Sequence, residues 1–273
     1  MKLYHYTTFT NFCAIWIQQK LNFSLWTNCN DIYEREKIYR LSQQSAVYNG
    51  KKFPTGVFRL FKDNVFKEVE QYRQISFCVD SKDCEGYASP MMWGHYARDY
   101  QRSGVCIEID SSKINFPKGV YKRKVSYKKK LEPTHIYGVN AESEDAAQTF
   151  VIKNKNNLFF RKHRHWDHEN EYRMVTKNKE CEALDISGAI THVYILGEDD
   201  ITRQAIRSIV GDTKMISYLY VGGLNGLSLL PMNLHDKEEL EYEINYINKN
   251  HVNIWKGEWS IPEFKSCVKD NKD

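Results

Sequence analysis

Seven short runs rich in β-branched and aromatic residues recur along the chain, at 3–6, 74–79, 104–109, 121–127, 171–176, 191–196 and 216–221. Between them the apolar residues step by three and four. A period of two marks strands and a period near 3.6 marks helices, so the chain predicts a sheet interleaved with covering helices. One helix is expected with Thr10 as its N-cap, followed by Phe12, Ile15, Trp16 and Gln19 on one spacing. Another is expected to carry Ile38, Leu41 and Ser45 and to stop near Asn49-Gly50, and a third follows Phe58, Phe61, Val65, Val69 and Tyr72. Further helices are expected over 88–100, 144–160 and 201–209, the last introduced by Asp199-Asp200 and lying between two strands. The fold class expected is α+β, with a mixed, mostly antiparallel sheet flanked by helices.

The chain has 273 residues, 41% hydrophobic and 14% aromatic, with no composition break. One domain over 1–265 is therefore expected, followed by a charged, frayed tail at 266–273. The longest apolar run, 12–17, is far short of a membrane span, and the first residues lack a signal-peptide layout, so no membrane partner and a cytoplasmic location are expected. Cys13, Cys29, Cys78, Cys84, Cys106, Cys181 and Cys267 form no Cys-x-x-Cys pair, which fits reduced thiols rather than a disulfide framework or a zinc ribbon. The net charge is only +4, but it is uneven: Tyr121-Lys122-Arg123-Lys124 with Lys128-Lys129-Lys130, and Arg161-Lys162-His163-Arg164-His165, are two basic stretches. Such runs are read first as solvated surface.

Three segments concentrate chemistry-bearing residues. On the first strand His5 and Thr7 share a face, where an imidazole and a hydroxyl converge on one ligand such as a ribose or amide; the plainer reading is a hydrogen-bonded core histidine. Met92-Trp93-Gly94-His95-Tyr96 follows on a helix, where Met92 and Trp93 suit core packing and the polar tips of His95 and Tyr96 require partners. Glu108, on an apolar strand, is either exposed at an edge or deliberately placed. The densest segment holds His163, His165, Trp166, His168, Glu169, Glu171 and Arg173. Two positions apart on a strand, Glu169 and Glu171 present paired carboxylates, and Arg173 on the same face either serves the site or neutralises Glu171. The histidine spacing does not suit a helix-borne zinc site, and no Gly-x-Ser-x-Gly or Gly-x-x-x-x-Gly-Lys is present.

Leu3-Tyr4-His5-Tyr6-Thr7, Asn30-Asp31 with Glu34, Ile75-Ser76-Phe77-Cys78, Met92 to Ala97, Gly104 to Glu108, Trp166 with Glu169 and Glu171-Tyr172-Arg173, and Val193 to Gly197 together resemble the bacterial domain-of-unknown-function 2971 family. That resemblance brings proximity to antiviral and toxin genes, and hence an effector role, but no reaction. At a second level the order of His5 and Thr7, Ser76, then Glu171 is similar to ADP-ribosyltransferases. This implies NAD as substrate, His5, Thr7, Ser76 and Tyr96 as binding residues, and Glu171 with Glu169 as the catalytic acids, with His95, Glu108 and Arg173 as further candidates. It also implies a nucleic-acid or protein acceptor and a neutralising partner protein. Competing expectations are a nucleic-acid-binding or nucleolytic module that uses the basic stretches, and a non-catalytic sensor or interaction domain. His5 and Glu171 are expected to meet.

Overall fold

The computed structural model describes residues 1–31, 34, 41–82, 84–97, 104–141, 143, 145–177, 180–196, 200–222 and 228–233. The strands are β1 (Lys2–Thr8), β2 (Lys20–Asn22), β3 (Ser24–Leu25), β4 (Val47–Tyr48), β5 (Lys51–Lys52), β6 (Arg73–Cys78), β7 (Gly104–Asp110), β8 (Tyr121–Lys124), β9 (Ser126–Lys128), β10 (Arg161–His163), β11 (Glu171–Thr176), β12 (Ala183–Asp185), β13 (Ile190–Leu196), β14 (Ile216–Gly222) and β15 (Ser228–Asn233). The longer helices are α1 (Phe9–Gln18), α2 (Thr55–Val69), α3 (Ala146–Phe159) and α4 (Asp200–Val210).

The main sheet runs β15-β14-β13-β7-β1-β6-β11-β8, with β3 also on β6. Within it β13 and β14 are parallel, joined across α4, and the other pairs are antiparallel. The expected mixed, mostly antiparallel α+β sheet is thus observed. One face buries Leu3, Ile75, Phe77, Ile107, Val193 and Ile195 together with Phe12 of α1 and Ile206 of α4. The opposite face carries two clusters: Tyr4, Tyr6, Cys106 and Tyr194 lie under Met92 and Trp93, and Val175 lies with Trp26, Phe61, Phe150 and Phe159 under α2 and α3. Burial of large side chains at roughly 1.5–3 kcal/mol each supplies the driving force on both sides.

The joint between β1 and β6 is unusual. β1 pairs with β7 along its whole length, from Lys2 to Thr8, and β6 pairs with β11 from Arg73 to Cys78. The two meet only at Tyr4 and Cys78. Beyond that rung β1 departs, and β3 takes the place beside Gln74 and Arg73. In the gap the His5 imidazole reaches the Ser76 carbonyl at 3.3 Å, so a side chain satisfies an acceptor that the ladder leaves open.

Several expected elements differ in detail. The α1 cap is Thr8, whose hydroxyl accepts from the Asn11 amide, because β1 runs straight into the helix with no intervening loop. The expected helix over 38–50 is absent where described: Leu41 makes an isolated bridge, 43–45 a 3-10 turn, and β4 and β5 form a hairpin. Asn49 and Gly50 adopt φ of 48° and 75°, the left-handed pair of a tight hairpin turn, so this dipeptide signals a hairpin and not a helix stop. Ile38 lies outside the described residues, as do Asp199, Gly197 and the 266–273 tail. The single strand expected over 121–127 is broken at Val125, whose amide bonds to the Glu171 carbonyl before the Ser126 amide turns to Phe160. Of the helix expected over 88–100, the described residues form one turn, Pro90–Met92, continued by a π turn at Trp93–Ala97, and 98–100 lie outside the described residues. Gly104 makes the close packing of that turn possible, since a Cβ there would lie 2.5 Å from the Ala97 carbonyl oxygen.

Candidate functional site

Strand registers fix which candidates share a surface. His192 pairs with Glu108, Glu108 with Tyr4, Tyr4 with Cys78 and Cys78 with Glu171, so one row crosses the sheet on a single face. By the period of two, Ser76 and Arg173, which also pair, join that face. His5 and Thr7 leave β1 on the other face, where the His5 ring packs 5.8 Å from Phe77. The expected meeting of His5 with Glu171 therefore does not occur. One residue of strand parity separates them.

On the Glu171 side lies a buried cluster of five charges. Arg173, wholly buried, directs all of its N–H groups to acceptors: Nε to Glu171 at 2.6 Å, Nη2 to Glu171 at 2.8 Å and to Glu34 at 3.1 Å, and Nη1 to Glu34 at 2.7 Å and to the Phe159 carbonyl at 2.6 Å. The Trp26 ring lies 5.0 Å from the guanidinium carbon. Lys162 contacts Glu169 at 2.6 Å, Glu171 at 2.9 Å and Glu34 at 3.8 Å. The Ser76 hydroxyl donates to Glu171 at 2.5 Å, the Tyr96 hydroxyl donates to Glu169 at 2.8 Å, and the Glu171 amide donates to the Tyr127 hydroxyl at 2.9 Å. Glu169 is not on the strand: it ends a 3-10 turn, and Asn170 at φ 40° redirects the chain so that both carboxylates still converge on Lys162.

Burial alone would push the Glu171 carboxyl up, but the Arg173 and Lys162 cations and the hydrogen bonds from Arg173 and Ser76 hold it well below the ordinary carboxylate range. Glu169 goes the other way, pushed up by burial and by Glu171 against the pull of Lys162. Burial disfavours the charged form of Lys162, yet Glu171, Glu34 and Glu169 outweigh it and raise its pKa. Three carboxylates face two cations, and of Glu169 and Glu171 it is Glu169 whose proton is less readily lost.

Beside this cluster four rings form a rim. His95 lies 6.2 Å from Tyr96, 6.3 Å from Trp166 and 6.3 Å from His168, ring centre to ring centre. His95 is exposed, Tyr96, Trp166 and His168 are half-buried, and the His168 Nε2 is buried without a hydrogen-bond partner. Glu108 forms a separate site three strand spacings away, about 14 Å. It accepts from Tyr194 at 3.0 Å, Thr191 at 2.8 Å and Lys2 at 3.1 Å, beside the stacked rings of Tyr87 and Tyr194. It is neither at an edge nor near Glu171. Burial lowers the pKa of His5, and its Nδ1 must carry the proton, because the Ser76 carbonyl only accepts.

Glu34 and Lys162 are the residues that the site candidates lacked. Lys162 was hidden in a basic run, where only the alternation of β10 distinguishes it from its outward neighbours. Glu34 is remote in sequence, and no local pattern marks it as a partner of Arg173. Among the described residues no group of His, Cys, Asp and Glu is arranged to hold a metal ion.

The sheet and this cluster define an α+β protein organised around a buried, over-acidic ion network with an aromatic rim. The family model described as Protein of unknown function (DUF2971) matches residues 92–174, the stretch from the π turn to β11 that supplies Tyr96, Lys162, Glu169, Glu171 and Arg173. Comparison with curated proteins yields no match. No helix among the described residues is long and apolar enough to cross a membrane.

Proposed function

We propose that the chain is an NAD-dependent, ADP-ribosyltransferase-like enzyme, acting as a transferase or as an NAD glycohydrolase. The observation that carries this reading is the Ser76 hydroxyl bonded to Glu171 at 2.5 Å, on two neighbouring strands whose next neighbour is β1. The strands of His5 and Thr7, of Ser76 and of Glu171 are thus consecutive in the sheet, and the sheet parts where the first two meet.

The chemistry suits the charges. Breaking the bond between nicotinamide and ribose builds positive charge on the ribose carbon, and a fixed anion in a dry site stabilises it. Glu171, held ionised by its cations, supplies that anion. Glu169, the more readily protonated acid, sits at the Tyr96 edge and is assigned the proton exchanged with the incoming hydroxyl group or water. His5 and Thr7 emerge on the opposite face and are assigned a supporting part at the seam only.

Purified protein incubated with NAD is expected to release nicotinamide, and Glu171→Gln to reduce the rate by about 10²-fold or more. A folded Glu171→Gln variant that turns over at the wild-type rate removes Glu171 from the mechanism. Wild-type protein that neither releases nicotinamide nor labels nucleic acid or protein overturns the reading and leaves the cluster a structural one.

A further inference from the structure

The two basic stretches, far apart in sequence, are joined in the fold. β9 and β10 pair in parallel, with Arg161 beside Ser126, Lys162 beside Tyr127 and His163 beside Lys128. Strand alternation then divides β10 between two environments: Lys162 points into the buried cluster, while Arg161 and His163 point the other way. The outward side opens onto a broad depression lined by Lys129, His163, Arg164, His165 and Asp167. Alongside it β8, which pairs only with β11 among the described strands, exposes Lys122, Arg123 and Lys124, and the end of β9 with the turn after it exposes Lys128, Lys129 and Lys130.

Few acids oppose these cations. Glu132 lies 3.1 Å from Lys130, and Asp167 lies 3.7 Å from Arg164. Rings are interleaved with the charges. His163 and His165 meet edge to face at 4.2 Å, and Trp166 is half-buried beside them. The segment leading from Lys130 is tied to the strip by the Arg161 guanidinium, which donates to the Glu132 carbonyl at 2.7 Å. It ends in His135 and Tyr137, stacked at 5.5 Å with the Tyr137 ring 66% exposed.

The geometry points to this strip as a binding surface for single-stranded nucleic acid. Cations along a track hold phosphates, and exposed flat rings beside them stack unpaired bases, a combination that neither partner class alone requires. An acidic peptide would use the cations and leave the rings idle. An anionic membrane would require a cluster of apolar side chains to insert, whereas the exposed hydrophobic residues near the strip, Tyr48, Met91 and Tyr137, lie on separate segments. A duplex would offer phosphates but keep its bases stacked away from the rings. The surface goes beyond the NAD reading and does not depend on it, since the strip binds whether or not the cluster is catalytic.

The test is fluorescence anisotropy of a labelled, mixed-sequence single strand of about 20 nucleotides, as RNA and as DNA, titrated with the full chain in the absence of NAD. Affinity is expected to fall with salt, the logarithmic slope steepening by about 0.7 for each phosphate held. The Lys128→Gln, Lys129→Gln, Lys130→Gln triple variant is expected to bind at least about tenfold more weakly, with a slope shallower by about 2. Tyr137→Ala weakens binding with the slope unchanged, and Lys113→Gln, in the 3-10 turn after β7 and outside the strip, matches wild type. Thermal melts confirm that each variant is folded. Absence of salt-dependent binding, or a folded triple variant that binds like wild type, overturns the proposal. Equal affinity for a duplex, or for vesicles of anionic lipid, overturns the single-strand assignment. Nicotinamide release into water, measured separately on the triple variant, is expected to be unchanged, so the two readings fail independently.

Discussion

Glu108 and Glu171 stand in the same cross-strand row, on the same face, and both are buried, yet they are neutralised in opposite ways. Glu108 is held by two hydroxyls, from Thr191 and Tyr194, and by one lysine whose side chain is 57% exposed. Glu171 is held by two buried cations and shares them with Glu34 and Glu169. The hydroxyls at Glu108 are neutral, so removing the charge there strands nothing. At Glu171 two cations serve three acids, and loss of either cation leaves buried carboxylates uncompensated. The first arrangement sits inside the sheet, on β7 between β13 and β1; the second is a network with one acid in excess of its cations.

This contrast breaks most visibly at Arg173. Arg173→Met leaves Glu34, Glu169 and Glu171 with Lys162 as their one shared cation, and a loss of about 3–5 kcal/mol is expected in urea unfolding. A variant with wild-type stability would mean that the network tolerates an unpaired acid and that the two sites are alike.

Glu171→Gln is expected to cost somewhat less, about 3 kcal/mol at neutral pH, and to change the pH profile. Because the folded pKa of Glu171 lies below its ordinary value of 4.5, its stabilisation is fully present above that value and lost as pH falls toward the depressed one. The variant should therefore lack much of the acid-induced decline. Glu169 has the reverse sign: its folded pKa is raised above 4.5, so its contribution is present at low pH and lost as pH rises through the folded value. Relative to wild type, Glu169→Gln should gain stability on going from acid to neutral pH, and a parallel pair of profiles would refute the assignment of the spare proton.

The smallest effect is expected at the comparison site. Glu108→Gln keeps one acceptor oxygen where Thr191 and Tyr194 donate to two, and a loss of about 1 kcal/mol is expected in the same unfolding assay. A loss equal to that of Glu171→Gln would erase the distinction.

Much of the scaffold was legible in sequence because it rests on local periodicity. The run at 171–176 coincides with β11, and the strand-helix-strand unit ending at β14 is present with its parallel pair. The pairing of Arg173 with Glu171 was foreseeable too, since both lie on one strand face. What local pattern cannot supply is parity between strands. His5 and Glu171 each sit on a readable strand, but whether they share a face depends on the rung joining Tyr4 to Cys78, a contact between distant segments. The same holds for Glu34, which reaches Arg173 from far along the chain. Asn49-Gly50 misled for a different reason: one dipeptide serves both helix ends and hairpins, and only the partner strand decides between them.

The single rung between β1 and β6 divides the sheet into two slabs, each fully laddered within itself. Cooperative units of opening follow such boundaries. In deuterated water the amides of the β7-β1 ladder and those of the β6-β11 ladder should therefore exchange as two groups with separate opening energies. In the ladder the crease is crossed by one rung and the His5 to Ser76 bond, while the Tyr96 bond to Glu169 and the shared cores bridge it on the two faces. A sheet that looks continuous in cross-section would then behave mechanically as two plates on a hinge.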